Sequence, residues 1–95
     1  MAEMKATTEM DIRPILAANG IPHTRQRREL WRYFTESEHA HTITETAEAL
    51  APSGIGQATV YRTVALFSEL GLLHRVQTLS GDVCYTAIRP GHRHP

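Results

Sequence analysis

Apolar residues along this chain fall at helical spacing in four successive stretches, then give way to two short runs of strand character. Ile12, Ile15 and Leu16 share a face and predict a short helix over Asp11 to Asn19. Pro14 is tolerated there because it falls in the first turn, and Gly20 supplies the stop. Thr24 can cap a second helix running to about Glu36, with Leu30, Trp31 and Phe34 as its buried stripe. Thr44 can cap a third, ending at Leu50 and packed through Ile43, Ala47 and Leu50. Residues 51–56 read as a Gly-containing turn into a fourth helix that starts at Gln57 and is stopped by Gly71. Val60, Val64 and Phe67 form one apolar row of that helix, and Thr63, Leu66 and Leu70 form an adjacent one. Beyond Gly71, residues 72–78 read as a strand, 79–82 as a turn and 83–86 as a second strand. Two helices joined by a Gly turn make a helix-turn-helix, and a hairpin directly behind it makes a wing. The expected fold is therefore mainly α with a small β-hairpin, a winged helix-turn-helix spanning residues 11–88. Residues 1–10 read as a polar tail.

The polar side of the fourth helix carries Gln57, Ala58, Tyr61, Arg62 and Ala65. It is small near the axis, with one amide, one phenol and one guanidinium standing out of it. A helix entering a DNA major groove needs such a face, with little bulk and hydrogen-bonding groups in its first turns. An ordinary packed helix with a solvated side has the same periodicity, so the face alone does not decide.

Charge shifts the picture through its placement. The chain carries 10 Lys and Arg against 10 Asp and Glu, a balance that does not advertise a nucleic-acid binder. Yet Arg25, Arg27, Arg28 and Arg32 crowd the start and outer face of the second helix, with only Glu29 among them. Cations at a helix N-terminus oppose the helix dipole, so their retention suggests an anionic partner; a solvated face pairing with Glu29 is the simpler alternative. Arg75 and the wing turn can also reach backbone phosphates. The single Cys84 excludes an internal disulfide and fits a reducing, cytoplasmic setting. No run approaches the roughly 18 apolar residues of a membrane span.

Several stretches together resemble the ferric uptake regulator family of metal-dependent bacterial transcription regulators. They are Gly20-Ile21, Thr24-Arg25-Gln26-Arg27, Ala58-Thr59-Val60-Tyr61-Arg62-Thr63-Val64, Leu70-Gly71-Leu72, Gly81-Asp82 and His92-Arg93-His94. The resemblance runs from about Asp11 to Pro95, and its most specific part, Ala-Thr-Val-Tyr-Arg, falls on the fourth helix. It implies that Tyr61 contacts bases, often thymine methyl groups, that Arg62 contacts the DNA backbone, and that Arg27 touches phosphate. Gln57, Ala58 and Thr59 would face the groove. Many relatives place a Lys or Arg for the minor groove just ahead of the second helix, where Pro22 and His23 stand here. The family's second half is an α/β dimerisation domain, so residues 89–95 would begin a hinge toward it, and the full-length protein would bind an A/T-rich inverted repeat as a homodimer.

His92 and His94, at i and i+2 in an extended segment, point the same way and can meet one metal; a tag-like tail would look similar. The resemblance implies that they belong to the family's hinge site, joined by His41 or else His39 from the DNA-binding domain. The family's carboxylate after the last wing aromatic is absent: Tyr85 is followed by Thr86, and no Asp or Glu lies beyond Asp82. The implied cofactor is a divalent transition metal, whether iron, zinc, nickel or manganese. A winged helix used for protein–protein contact is the alternative class. An enzyme is disfavoured, because the chain has no His-Glu-x-x-His, no Ser-His-Asp set and no Gly-rich phosphate loop.

Overall fold

The computed structural model describes residues 11–88. Within them lie α1 (Arg13–Ala18), α2 (Arg25–Glu36), α3 (Ile43–Leu50), a single 3₁₀ turn (Ala51–Ser53), α4 (Gln57–Glu69), β1 (Leu73–Gln77) and β2 (Val83–Ala87). The two strands pair antiparallel, with Leu73 opposite Ala87 at the base and Gln77 opposite Val83 near the turn. Helices α3 and α4 pack together, and α2 lies against α3, α4 and β2. This is the expected winged helix-turn-helix.

The core follows the apolar rows. Leu30, Trp31 and Phe34 of α2, Val60, Val64 and Phe67 of α4, Leu16 of α1 and Ile12 just ahead of α1 belong to one buried cluster. Trp31 and Phe67 meet edge to face, ring centroids 5.9 Å apart and planes at 87°. That geometry sets the electropositive edge of one ring on the π face of the other and adds about 0.5–1.5 kcal/mol beyond area burial. The second α4 row divides: Thr63 is buried, while Leu66 and Leu70 are half-buried.

Several element ends differ from expectation. The third helix is capped by Thr42, not Thr44. The Thr42 hydroxyl accepts from the Glu45 N–H at 3.0 Å, and the Glu45 carboxylate accepts from the Thr42 N–H at 3.0 Å. This reciprocal capping box outcompetes a lone threonine two residues later, which stays exposed. The first helix begins at Arg13 rather than Asp11, because the Asp11 carboxylate turns to the Arg13 backbone and guanidinium. The second strand runs one residue further, to Ala87, and the first is trimmed to Leu73–Gln77. The loop before α3 is more ordered than expected, since His41 pairs with Tyr85 through two backbone hydrogen bonds of 2.9 and 2.8 Å. The wing is thus stitched to the helix-turn-helix along its β2 edge.

At the other end of α4, Gly71 has φ +77°. Its N–H reaches the Ser68 carbonyl, and that of Leu72 reaches the Phe67 carbonyl at 2.9 Å. This Schellman closure turns the chain directly into the wing.

Candidate nucleic-acid interface

The polar face of α4 is free. Gln57, Ala58, Tyr61, Arg62 and Ala65 are all exposed, and Thr59 is half-exposed. Tyr61 keeps 62% of its surface open although its helix neighbours Val60 and Val64 are fully buried. A large amphipathic ring left outside a well-formed core is available to a partner. Arg62 leans back along the helix, its Nη2 3.5 Å from the Thr59 hydroxyl.

Arg25 and Arg27 of α2 are positioned by carbonyls rather than by carboxylates. Arg27 donates from Nη1 to the Pro22 carbonyl at 2.7 Å, and its backbone N–H caps onto the Thr24 hydroxyl at 3.2 Å. Arg25 donates from Nη2 to the Ser53 carbonyl at 3.1 Å, tying the start of α2 to the turn that launches α4. Only Arg32 has an acidic partner, Glu36 at 3.9 Å. Among the described residues Glu29 pairs with none of the arginines, so the expected alternative of a self-neutralised α2 face is not realised. Arg75 is exposed on β1, in register with Tyr85.

Two grooves of opposite character flank this arrangement. One, of about 400 Å³, lies between the start of α2 and the first turns of α4 and is lined by Arg27 and Arg62 together with threonines and Gln26. The other, of about 510 Å³, lies between the start of α3 and the wing turn and carries Glu45 and Asp82. The positive groove is on the side of the α4 polar face.

The metal-ligand expectations have a mixed placement. His92 and His94 lie outside the described residues. His39 is exposed, whereas His41 is half-buried, its Nδ1 3.3 Å from Glu45 Oε1 and its ring 5.0 Å from that of Tyr33. The backbone hydrogen bond from Thr42 holds the Glu45 carboxyl below its ordinary pKa, and the bond with His41 adds to this. Burial pushes the Tyr33 phenol up. No group of three or more His, Cys, Asp or Glu side chains converges among the described residues. His41 and Glu45 stand beside one another, with no third such side chain joining them among the described residues. Cys84 is buried within β2, as a small strand residue would be.

Sequence reasoning missed the clustering of Thr24, Gln26 and Thr63 around Arg27 and Arg62, because Thr63 reads as part of an apolar row. It also missed the tie from Arg25 to Ser53, which joins residues 28 positions apart.

The fold defines a winged helix-turn-helix protein that leaves the polar face of its fourth helix exposed. The model of the ferric uptake regulator family matches residues 18–95, and the chain belongs to that family. The family is one of regulators, not enzymes. Among solved structures the chain is similar to a manganese uptake regulator (29% identity over 84% of this chain, TM-score 0.69). It is also similar to a zinc-bound manganese uptake regulator (27% over 87%, TM-score 0.74). A third is the ferric uptake regulator of Vibrio cholerae, described through rearrangement of its DNA-binding domains (25% over 86%, TM-score 0.71). The chain spans 60, 64 and 65% of the lengths of those proteins, respectively. No helix among the described residues is long and apolar enough to cross a membrane.

Proposed function

We propose that this chain is the sequence-specific DNA-binding domain of a metal-responsive transcription repressor. In the full-length homodimer, two copies of α4 would enter successive major-groove faces of an A/T-rich inverted repeat. The observation that carries this reading is the exposed face of α4, with Tyr61 and Arg62 standing out beside a groove that holds cations and no carboxylate. Tyr61 would press its ring on thymine methyl groups, Gln57 would offer its amide to base edges, and Ala58 would allow close approach. Arg62, Arg27 and Arg25 would meet backbone phosphates, with Arg75 doing so from the wing.

His92 and His94 would hold a divalent iron, zinc, nickel or manganese ion together with His41, whose backbone is already fixed to the wing at Tyr85. A bound ion would supply a cross-link between this domain and the segment that follows it. The domain's orientation, and with it the spacing of the two α4 helices, would then be selected from a wider set. The zinc-bound relative supports this reading.

The test is fluorescence anisotropy of the full-length protein on a labelled A/T-rich inverted repeat, with EDTA, Zn²⁺, Mn²⁺, Ni²⁺ and Fe²⁺ in turn. Binding that appears with one metal and weakens with salt is expected. Arg62→Ala should weaken binding to all sequences, and Tyr61→Ala should erode the preference for the cognate one. Binding that ignores metal would place control elsewhere. No binding to the repeat or to a pool of genomic fragments would favour a protein partner.

A further inference from the structure

We infer that the cleft between α2 and α4 is one phosphate seat, in which Arg27 and Arg62 grip the same DNA backbone phosphate. This rests on the DNA-binding reading above but goes beyond it: two arginines assigned separately to the backbone act as a single coupled device.

Arg27 and Arg62 come from different helices yet line one cleft of about 400 Å³. Around them stand the Thr24, Thr59 and Thr63 hydroxyls and the Gln26 amide, all able to donate to an anionic oxygen. Among the described residues no carboxylate lines the cleft, whereas the groove by the wing holds Glu45 and Asp82; a phosphate is thereby steered to the first and repelled from the second. Neither Arg27 nor Arg62 has a carboxylate partner among the described residues. Each carries five N–H donors, and Arg27 uses one on the Pro22 carbonyl at 2.7 Å. That bond pins its planar fork before any ligand arrives, which lowers the ordering cost of binding.

The walls of the seat are joined through the core. The Trp31–Phe67 pair and the packing of Val60 and Val64 lock α2 to α4 beneath it. A phosphate held between the two helices therefore fixes the depth and tilt of α4 relative to the duplex, so Tyr61 and Gln57 meet the bases in one register.

The experiment uses the chain on a duplex it has itself selected from a randomised pool. Affinities are measured over a salt series for wild type, Arg27→Gln, Arg62→Gln and the double variant, with thermal melts to confirm that each is folded. Each single change should weaken binding by about 10- to 100-fold, the loss of charge-assisted hydrogen bonds. The double variant should fall only a few-fold below the weaker single variant. Its log–log salt slope should differ from wild type by about 0.9, the value for one phosphate, and not about 1.8. A neutral methylphosphonate is then walked along the backbone. At one position it should weaken wild type and remove the penalty of both single variants. Losses that multiply, or sensitivities that map to two positions, would overturn the shared seat while leaving DNA binding intact. Failure to enrich any duplex would overturn the seat and the DNA-binding reading together.

Discussion

Serine placed at Gly56 or at Gly71 should move stability in opposite directions, although the two glycines bracket the same helix. A Cβ at either position meets nothing within 4 Å, so sterics with neighbours contribute nothing. Backbone conformation decides. Gly56 is the N-cap of α4, with φ −77° and ψ 163°, and no side chain caps the helix there. Serine adopts that conformation without strain, can accept from a first-turn N–H, and restricts the unfolded chain. Together these should stabilise by about 0.5–1 kcal/mol. Gly71 has φ +77°, where an L side chain crowds its own carbonyl. That strain of about 1–2 kcal/mol exceeds the same unfolded-state gain and should leave a net loss near 1 kcal/mol. The two variants should therefore differ by about 1.5–2 kcal/mol, or roughly 6–16 °C in Tm for a domain of this size. Circular-dichroism melts on both variants, with wild type between them, make the comparison. If the two melts shift in the same direction, the start and stop of α4 are not built as described.

The Ser68 hydroxyl is buried with no hydrogen-bond partner among the described residues, so Ser68→Ala should be neutral or stabilise by up to about 1 kcal/mol in urea unfolding. Thr42→Ala breaks the capping box of α3 and should cost about 1 kcal/mol in the same assay. Arg13 beside Asp11 holds that carboxyl down at about 2, below its ordinary 3.8. A depressed folded pKa gives stability present above pH 4 that fades as pH falls toward 2. This pair is exposed and screened by solvent, so its share is small. The stability difference between wild type and Arg13→Ala, measured by urea unfolding, should accordingly be present at pH 5, reduced near pH 2 and gone only below it.

The order of elements was legible because each helix carries its own apolar row and its own stop. Val60, Val64 and Phe67 announce which side of α4 is buried, and Tyr61 and Arg62 therefore which side is not. The start of α3 is legible in principle, since Thr42 followed by Glu45 is a capping-box signature, although Thr44 offers a competing cap two residues on. What local pattern could not supply are the pairings across the chain. His41 joins Tyr85 through the backbone, Arg25 reaches Ser53, and Arg27 and Arg62 come to line one groove only once α2 packs on α4. Each depends on tertiary geometry that no single stretch encodes. His92 and His94 lie outside the described residues, so their part in a metal site stands as a proposal.

The most direct test of the central claim is an NMR titration of ¹⁵N-labelled chain with an A/T-rich duplex, followed amide by amide. The account expects shifts concentrated in residues 24–28 and 57–62, with smaller ones at Arg75 and the wing turn. Shifts centred instead on the groove by Glu45 and Asp82, or no shifts with any duplex at low salt, would contradict it.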